Sequence, residues 1–226
     1  MSTWSEKAKG LRDTKDVDEL EKKYDEICEY YDEGMHDPHF LYNAPYETAR
    51  AVIQLEPNRN VKILDVGCGT GLVGEELFKE GYTNVHGVDM SAGMLKICEK
   101  KNVFSKLVRA KFDPSEPLEY VDGYFDVVMS CGTFVPGAHL NQTCLPEIFR
   151  LLKPGGYMVI ATRQKAFEEE LGGVKLKSTL PRFVEEGVLA KLSHDVIRYT
   201  TEINIDIPGV ILSYILLPTQ KEQNTE

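Results

Sequence analysis

The stretch Val61-Lys62-Ile63-Leu64-Asp65-Val66-Gly67-Cys68-Gly69-Thr70-Gly71 constrains this chain more than any other. An apolar run with a β-branched bias stops at three glycines in alternate positions, and Leu72-Val73-Gly74-Glu75-Glu76-Leu77-Phe78 follows. The pattern predicts a strand, a tight loop and a helix. Glycine suits such a loop because the backbone there takes positive φ and a ligand can approach with no Cβ in the way. The helix behind it turns unpaired N–H groups toward whatever is bound. This is the nucleotide-binding corner of a doubly wound α/β sheet.

Two cofactor classes use that corner. Gly69, Gly71 and Gly74 satisfy G-x-G-x-x-G, and Asp89 lies at about the distance expected of a ribose-binding carboxylate. On that reading the protein is a nicotinamide-dependent oxidoreductase. The competing reading also uses Asp65, an acid two positions before the first glycine, which suits a ligand bearing an ammonium group. S-adenosylmethionine has that ammonium, a sulfonium and no phosphate.

Bulk properties narrow the partners. A chain of 226 residues is long enough for one large domain that buries its core without disulfides or metal. A formal charge of -10 argues against holding nucleic acid by neutralising phosphates, and so favours small-molecule or protein substrates. Five cysteines with no C-x-x-C pair fit free thiols in a reducing compartment, which makes Cys68 a small filler of the glycine loop. No run approaches the roughly 18 apolar residues of a membrane span, and Met1-Ser2-Thr3-Trp4-Ser5-Glu6-Lys7 lacks an apolar signal core. The expectation is a cytoplasmic protein, monomer or homodimer, with no membrane partner.

Along the chain, residues 1–15 read as loose and polar, 16–57 as a helical cap, 58–219 as the core and 220–226 as a loose tail. Val17, Leu20, Tyr24, Ile27, Cys28 and Tyr31 recur at three- and four-residue steps, predicting an amphipathic helix over 17–31. A second helix is expected over 47–55, stopped by Glu56-Pro57-Asn58. Asn84-Val85-His86-Gly87-Val88-Asp89 is the second strand, with Ser91 as N-cap of a helix over 92–100. The third strand is expected over 107–112. The fourth, 124–130, is short and continuously apolar, as a strand buried on both faces should be. The loop Cys131-Gly132-Thr133-Phe134-Val135-Pro136-Gly137-Ala138-His139 leaves its carboxyl end, where open α/β sheets bind ligands, and is the expected substrate wall. A helix over 145–152, a strand over 157–163, helices near 167–171 and 180–186, and two extended segments (188–204 and 210–217) joined at Pro208-Gly209 complete the pattern.

Several of these segments carry a family resemblance. Leu64-Asp65-Val66-Gly67-Cys68-Gly69-Thr70-Gly71 resembles the first motif of the class I S-adenosylmethionine-dependent methyltransferases, usually E/D-x-G-x-G-x-G. Asp89-Met90-Ser91 resembles their second motif, and Leu151-Leu152-Lys153-Pro154-Gly155-Gly156 their L-K-P-G-G turn. Tyr24-Asp25 and Tyr31-Asp32 resemble the Y-D-x-W-A-x-x-Y-D segment of small-molecule methyltransferases, with Ile27 and Cys28 in place of Trp-Ala. Within the superfamily, Tyr42-Asn43-Ala44-Pro45-Tyr46 and the 132–139 loop resemble the methyltransferase-like proteins of the Williams-Beuren syndrome region, where Gly-His is usual and Ala138 here intervenes.

The resemblance spans residues 24–217. It implies a Rossmann-like, mostly parallel seven-stranded sheet with a C-terminal antiparallel hairpin and an N-terminal helical lid. It also implies S-adenosylmethionine as cofactor: Asp65, Gly67, Cys68, Gly69, Thr70 and Gly71 on the methionine half, Asp89 on ribose, Met90 beside adenine, and Ser130 and Cys131 along the methyl passage. Lys111 stands where the family ends its third strand with an acid, which leaves Phe112 or Asp113 for the adenine contact. His139 and Tyr31 are the candidate catalytic residues, and Tyr24, Thr133 and Phe134 the candidate substrate contacts. Histidine has the intrinsic pKa for general-base work; a loop histidine with no such role is the alternative.

No Asn/Asp-Pro-Pro-Tyr/Phe follows the fourth strand, which disfavours transfer to a nucleobase or glutamine amide, and no acid–histidine cluster suggests a metal. A small-molecule acceptor is expected, with a binding module that transfers nothing as the alternative.

Overall fold

A computed structural model describes residues 4–37, 39–202 and 204–218. The amino-terminal elements are helices α1 (Trp4–Asp13) and α2 (Val17–Met35), strands β1 (His36–Asp37) and β2 (Phe40–Tyr42), and helix α3 (Ala44–Leu55). Then follow β3 (Ile63–Val66), α4 (Leu72–Lys79), β4 (Val85–Asp89), α5 (Ala92–Lys101), β5 (Lys106–Arg109) and β6 (Phe125–Cys131). The remainder is α6 (Leu145–Leu151), β7 (Leu152–Arg163), α7 (Gln164–Glu168), α8 (Leu176–Glu185), β8 (Leu189–Glu202) and β9 (Ile205–Leu216).

Described strands form one nine-stranded sheet in the order β1-β2-β8-β9-β7-β6-β3-β4-β5. From β5 to β7 neighbours run parallel, and β9, β8, β2 and β1 are added antiparallel. The seven expected strands are present, but the sheet is larger and more mixed than expected. The residues after α2, read as a lead-in to a helix, pair instead with β8 as β1 and β2, with Phe40 opposite Glu202 and Tyr42 opposite Thr200.

Period-two alternation builds the core on both faces. Ile63, Val127, Met129, Val159 and Ile211 face α3 and α4 in one apolar cluster. Leu64, Val66, Val128, Met158, Ile160 and Leu212 face the other way, packed with Leu145, Ile148, Leu176 and Leu180 of α6 and α8. Each such side chain removed from water stabilises the fold by about 1.5–3 kcal/mol before entropy is charged against it. The chain winds from β3 outward to β5, then returns to β6 on the other side of β3. This reversal opens a crevice at the carboxyl ends of β3, β4 and β6.

Two other expectations change. Residues 1–15 are not wholly loose chain: Trp4–Asp13 is helical, and Leu11 and Thr14 are buried because the backbone at its end docks on the 132–139 loop. Pro208-Gly209 is not the hairpin turn but lies within β9, where Gly209 opposes Arg163 and Ile197. The reversal falls between Glu202 and Ile205, with Asn204 at φ +62. Residues 220–226, read as a loose tail, lie outside the described residues.

Candidate active site

Three glycines bend the β3–α4 loop into a cradle: Gly67, Gly69 and Gly71 hold φ of +73, +54 and +89. Gly67 and Cys68 donate their N–H groups to Val88 O at 2.8 and 3.1 Å, and Gly69 donates to Asp89 Oδ2 at 2.9 Å. Ser91 N–H donates to the other oxygen, Asp89 Oδ1, at 2.9 Å. Two backbone donors thus fix the carboxylate at the tip of β4. Burial pushes the Asp89 pKa up, and those donors partly offset the rise.

Asp65 is in a different condition. It ends buried between β4 and β6 at 1% exposure, and neither carboxylate oxygen has a hydrogen-bond partner among the described residues. Burial first, and then Asp89, push its pKa up to about 8. A buried carboxylate without a partner is costly unless a bound group supplies the missing charge and donors.

Both acids open on a cavity of about 470 Å³. The predicted residues Asp65, Gly67, Cys68, Gly69, Thr70, Asp89, Met90, Phe112, Asp113, Cys131 and Thr133 line it, as do Tyr24, Tyr31 and His139. Three predicted residues do not. Gly71 caps α4, where a Cβ would meet Cys98 Sγ at 2.8 Å, so it shapes the loop from behind. Ser130, expected on the methyl passage, points into the sheet: its hydroxyl donates to Val66 O at 2.9 Å and pairs with Thr133 Oγ1. Phe134, expected to touch substrate, is fully buried in the core.

Helix α2 roofs the cavity. Asp16 caps it by accepting Glu19 N–H at 2.8 Å. Tyr24 and Tyr31, seven residues and two turns apart, face inward with ring centroids 6.4 Å from each other. Their sequence neighbours hold the roof down. Asp25 Oδ1 accepts Ser91 Oγ–H at 2.6 Å and Gly93 N–H at 2.8 Å, so it caps α5 together with Ser91. Asp32 accepts Thr70 Oγ1–H at 2.5 Å and pairs with Lys101 at 2.6 Å. Asp18 and Glu21, on the same stripe, pair with Lys111 at 2.5 Å and Arg109 at 2.8 Å. The last two pairs have one exposed partner or more and contribute little. The first two tie the roof to the cofactor-side loops. Lys111 is thus a roof contact at the position where the family has an acid. Asp32→Ala is expected to weaken cofactor affinity about tenfold and speed proteolysis of α2, measured by calorimetry and limited digestion. Unchanged values in both would show the tie to be idle.

At the far end, His139 Nδ1–H donates to Pro136 O at 3.0 Å, which leaves Nε2 to accept the Tyr24 hydroxyl at 2.8 Å. The residue therefore faces the cavity despite the extra Ala138. Burial lowers its pKa to about 4, so the ring is neutral through the physiological range, and burial raises that of Tyr24. Sequence reasoning quoted Tyr42 only within a resemblance segment, with no site role, and missed Tyr199; their hydroxyls lie 3.2 Å apart over Gly132, a convergence of distant strands that carries no local signal. No helix among the described residues is long and apolar enough to cross a membrane, and no group of three or more His, Cys, Asp or Glu is placed to hold a metal.

A glycine cradle, a tip carboxylate and an unpartnered carboxylate thus meet at a topological switch point, where open α/β sheets bind their ligands. The sequence matches the methyltransferase domain family over residues 64–160. It is 32% identical over 167 residues to human methyltransferase-like protein 27, covering 73% of this chain and 66% of that one. It is 28% identical over 211 residues to a demethylmenaquinone methyltransferase of Chlorobaculum tepidum, covering 89% and 84%. The [4+2]-cyclase SpnF shares the fold, with a TM-score of 0.68 at 15% identity over 92% of this chain and 99% of that one. The chain belongs to the class I S-adenosylmethionine-dependent methyltransferases. The residues fit that cofactor: the buried Asp65 carboxyl has no partner among the described residues, as a site for a cationic amino-acid group would, and Asp65 and Asp89 open on the same cavity.

Proposed function

We propose that the protein transfers the methyl group of S-adenosylmethionine to a small-molecule acceptor held under α2, against Cys131, Gly132 and the Tyr24–His139 pair. The observation that carries this reading is the enclosure of that pair: a neutral imidazole and a phenol, hydrogen-bonded to each other, face the cavity that Asp65 and Asp89 also line. The relative named demethylmenaquinone methyltransferase, aligned over 89% of this chain, supports an acceptor of small-molecule class.

When bound, the sulfonium supplies an electrophilic methyl and leaves as a neutral thioether. The chain's own share is positioning and proton handling. Helix α2 excludes water and fixes the acceptor, which is where most of the rate gain of an in-line displacement arises. For a hydroxyl acceptor, the Tyr24 oxygen can take the acceptor proton while its own passes to His139 Nε2. His139 acts through Tyr24 and is a positioning residue; Tyr31 closes the wall beside them. Of residues 16–57, α2 serves as the cap, whereas β2 pairs with β8 and α3 packs on the sheet.

Incubating the protein with methyl-labelled S-adenosylmethionine and fractionated small-molecule extracts tests the reading. Label is expected in a small molecule, with kcat falling about 10²-fold or more in Tyr24→Phe. The acidic limb of the profile should lie near pH 4, where His139 gains its proton, rather than near 6.5. Cofactor binding with no labelled product in any fraction would instead favour a binding module.

A further inference from the structure

Beside the main cavity lies a chamber of about 60 Å³, walled by Arg12, Arg163 and Tyr199 and opening past Tyr24, Tyr42 and His139. None of the cofactor-side residues borders it. Arg163 pairs with Glu202 and lies over the Tyr199 ring, 5.7 Å from its centroid. Arg12 has no ion pair and no side-chain hydrogen bond among the described residues. The groups whose charges act on it are Arg163, Glu202, Tyr199 and the exposed Asp13. Within the chamber two guanidinium groups therefore face one carboxylate, leaving one positive charge without a counter-ion.

Arg12 is placed there by its backbone. Ala138 N–H donates to Thr14 O at 2.7 Å, and a Cβ on Gly137 would meet Arg12 O at 2.8 Å and Thr14 O at 2.9 Å. The loop that carries His139 thus seats the end of α1. Gly132 does the same for the phenols, since a Cβ there would meet Tyr42 Oη at 2.4 Å and Tyr199 Oη at 3.0 Å.

We propose that this chamber binds a carboxylate of the methyl acceptor, held by Arg12 and backed by Arg163 and Tyr199. The proposal rests on the methyl-transfer reading and names the acceptor as a small organic acid. A guanidinium presents a planar fork that matches a carboxylate with two parallel N–H···O bonds. The volume admits a carboxylate and not a ring, so the acid is a terminal group and the rest of the acceptor lies in the main cavity beside Tyr24 and His139. A phosphate monoester would bring nearly two negative charges to a single uncompensated positive one.

The test titrates the protein saturated with S-adenosylhomocysteine against matched pairs: benzoate and benzamide, 4-hydroxybenzoate and 4-hydroxybenzamide, phenylacetate and phenylacetamide, with phenyl phosphate as a further arm. At least one acid is expected to bind about tenfold tighter than its amide, and Arg12→Met should abolish the difference while leaving S-adenosylhomocysteine affinity unchanged. That unchanged affinity certifies the fold of the variant. Equal binding within every pair, a preference that survives Arg12→Met, or phenyl phosphate binding tighter than every acid would overturn the carboxylate assignment alone. Failure of the wild-type protein to take up S-adenosylhomocysteine would overturn the methyl-transfer reading and this assignment with it.

Discussion

Replacing Asp65 with Asn is expected to stabilise the ligand-free protein at pH 8 and to destroy its affinity for S-adenosylmethionine. The native carboxyl titrates at about 8, above its unfolded value of 3.8. A raised acid holds its proton in the folded state, so folding opposes ionisation. The cost is absent below the unfolded pKa, grows as pH rises between 4 and 8, and is complete above that range. The full cost at pH 8 is about 5 kcal/mol, and the unpaired buried amide of Asn takes back about 1–3, so the exchange should add roughly 2–4 kcal/mol at pH 8 and flatten the fall in stability between pH 5 and 8, read by urea denaturation across that range. Cofactor affinity should drop about 100-fold or more, because the buried acid is the natural partner of the ammonium. Binding to the wild type near pH 7 should also release a proton, visible as a buffer-dependent heat. An Asn variant that binds S-adenosylmethionine normally would remove Asp65 from the site.

Gly67→Ala is expected to cost about 2–4 kcal/mol and to abolish cofactor binding. The residue sits at φ +73, and an added Cβ would lie 2.1 Å from Thr133 Cγ2. Thr133 has little room to yield, since its hydroxyl is engaged with Ser130 and its carbonyl accepts Leu140 N–H at 3.0 Å. Gly155→Ala is the control: φ is +80, yet nothing lies within 4 Å of the new carbon, so the strain of about 1–2 kcal/mol should stand alone. Equal losses in the two variants, by denaturation, would mean that backbone strain alone and not contact with Thr133 sets the need for glycine.

The glycine loop was legible in sequence because its constraint is local: steric limits on φ act within one residue, and Asp65, Gly67 and Gly69 line the cavity that the pattern anticipates. Ser91 as a helix cap is local in the same way. Ser130 was misjudged because in a strand apolar on both faces no alternation tells which side chain turns to the crevice, and Phe134 because a loop has no period from which to read which side chain turns into the core. The roof was half legible. Two Tyr-Asp pairs were visible, but the division of labour between inward tyrosines and anchoring aspartates appears only once α2 is set against Thr70 and Ser91. Arg12 gave no signal, since its meaning depends on a loop more than a hundred residues away. The Pro208-Gly209 turn failed because a glycine needed for close approach to Tyr199 looks the same in sequence as one needed for reversal.

The roof and the segment before it are fastened to loops at both ends of the cavity. Asp32 and Asp25 of α2 grip the β3–α4 and β4–α5 loops, while Thr14, in the segment before α2, holds the loop that carries His139. A cofactor that orders the first two loops favours the seated roof, and a seated roof completes the acceptor wall. Linkage then makes the benefit mutual: an acceptor tightens the cofactor by the same factor that the cofactor tightens the acceptor. On the proposed reading, two ligands under one roof act as each other's effector, so S-adenosylhomocysteine is expected to bind more tightly with an acceptor present than without it.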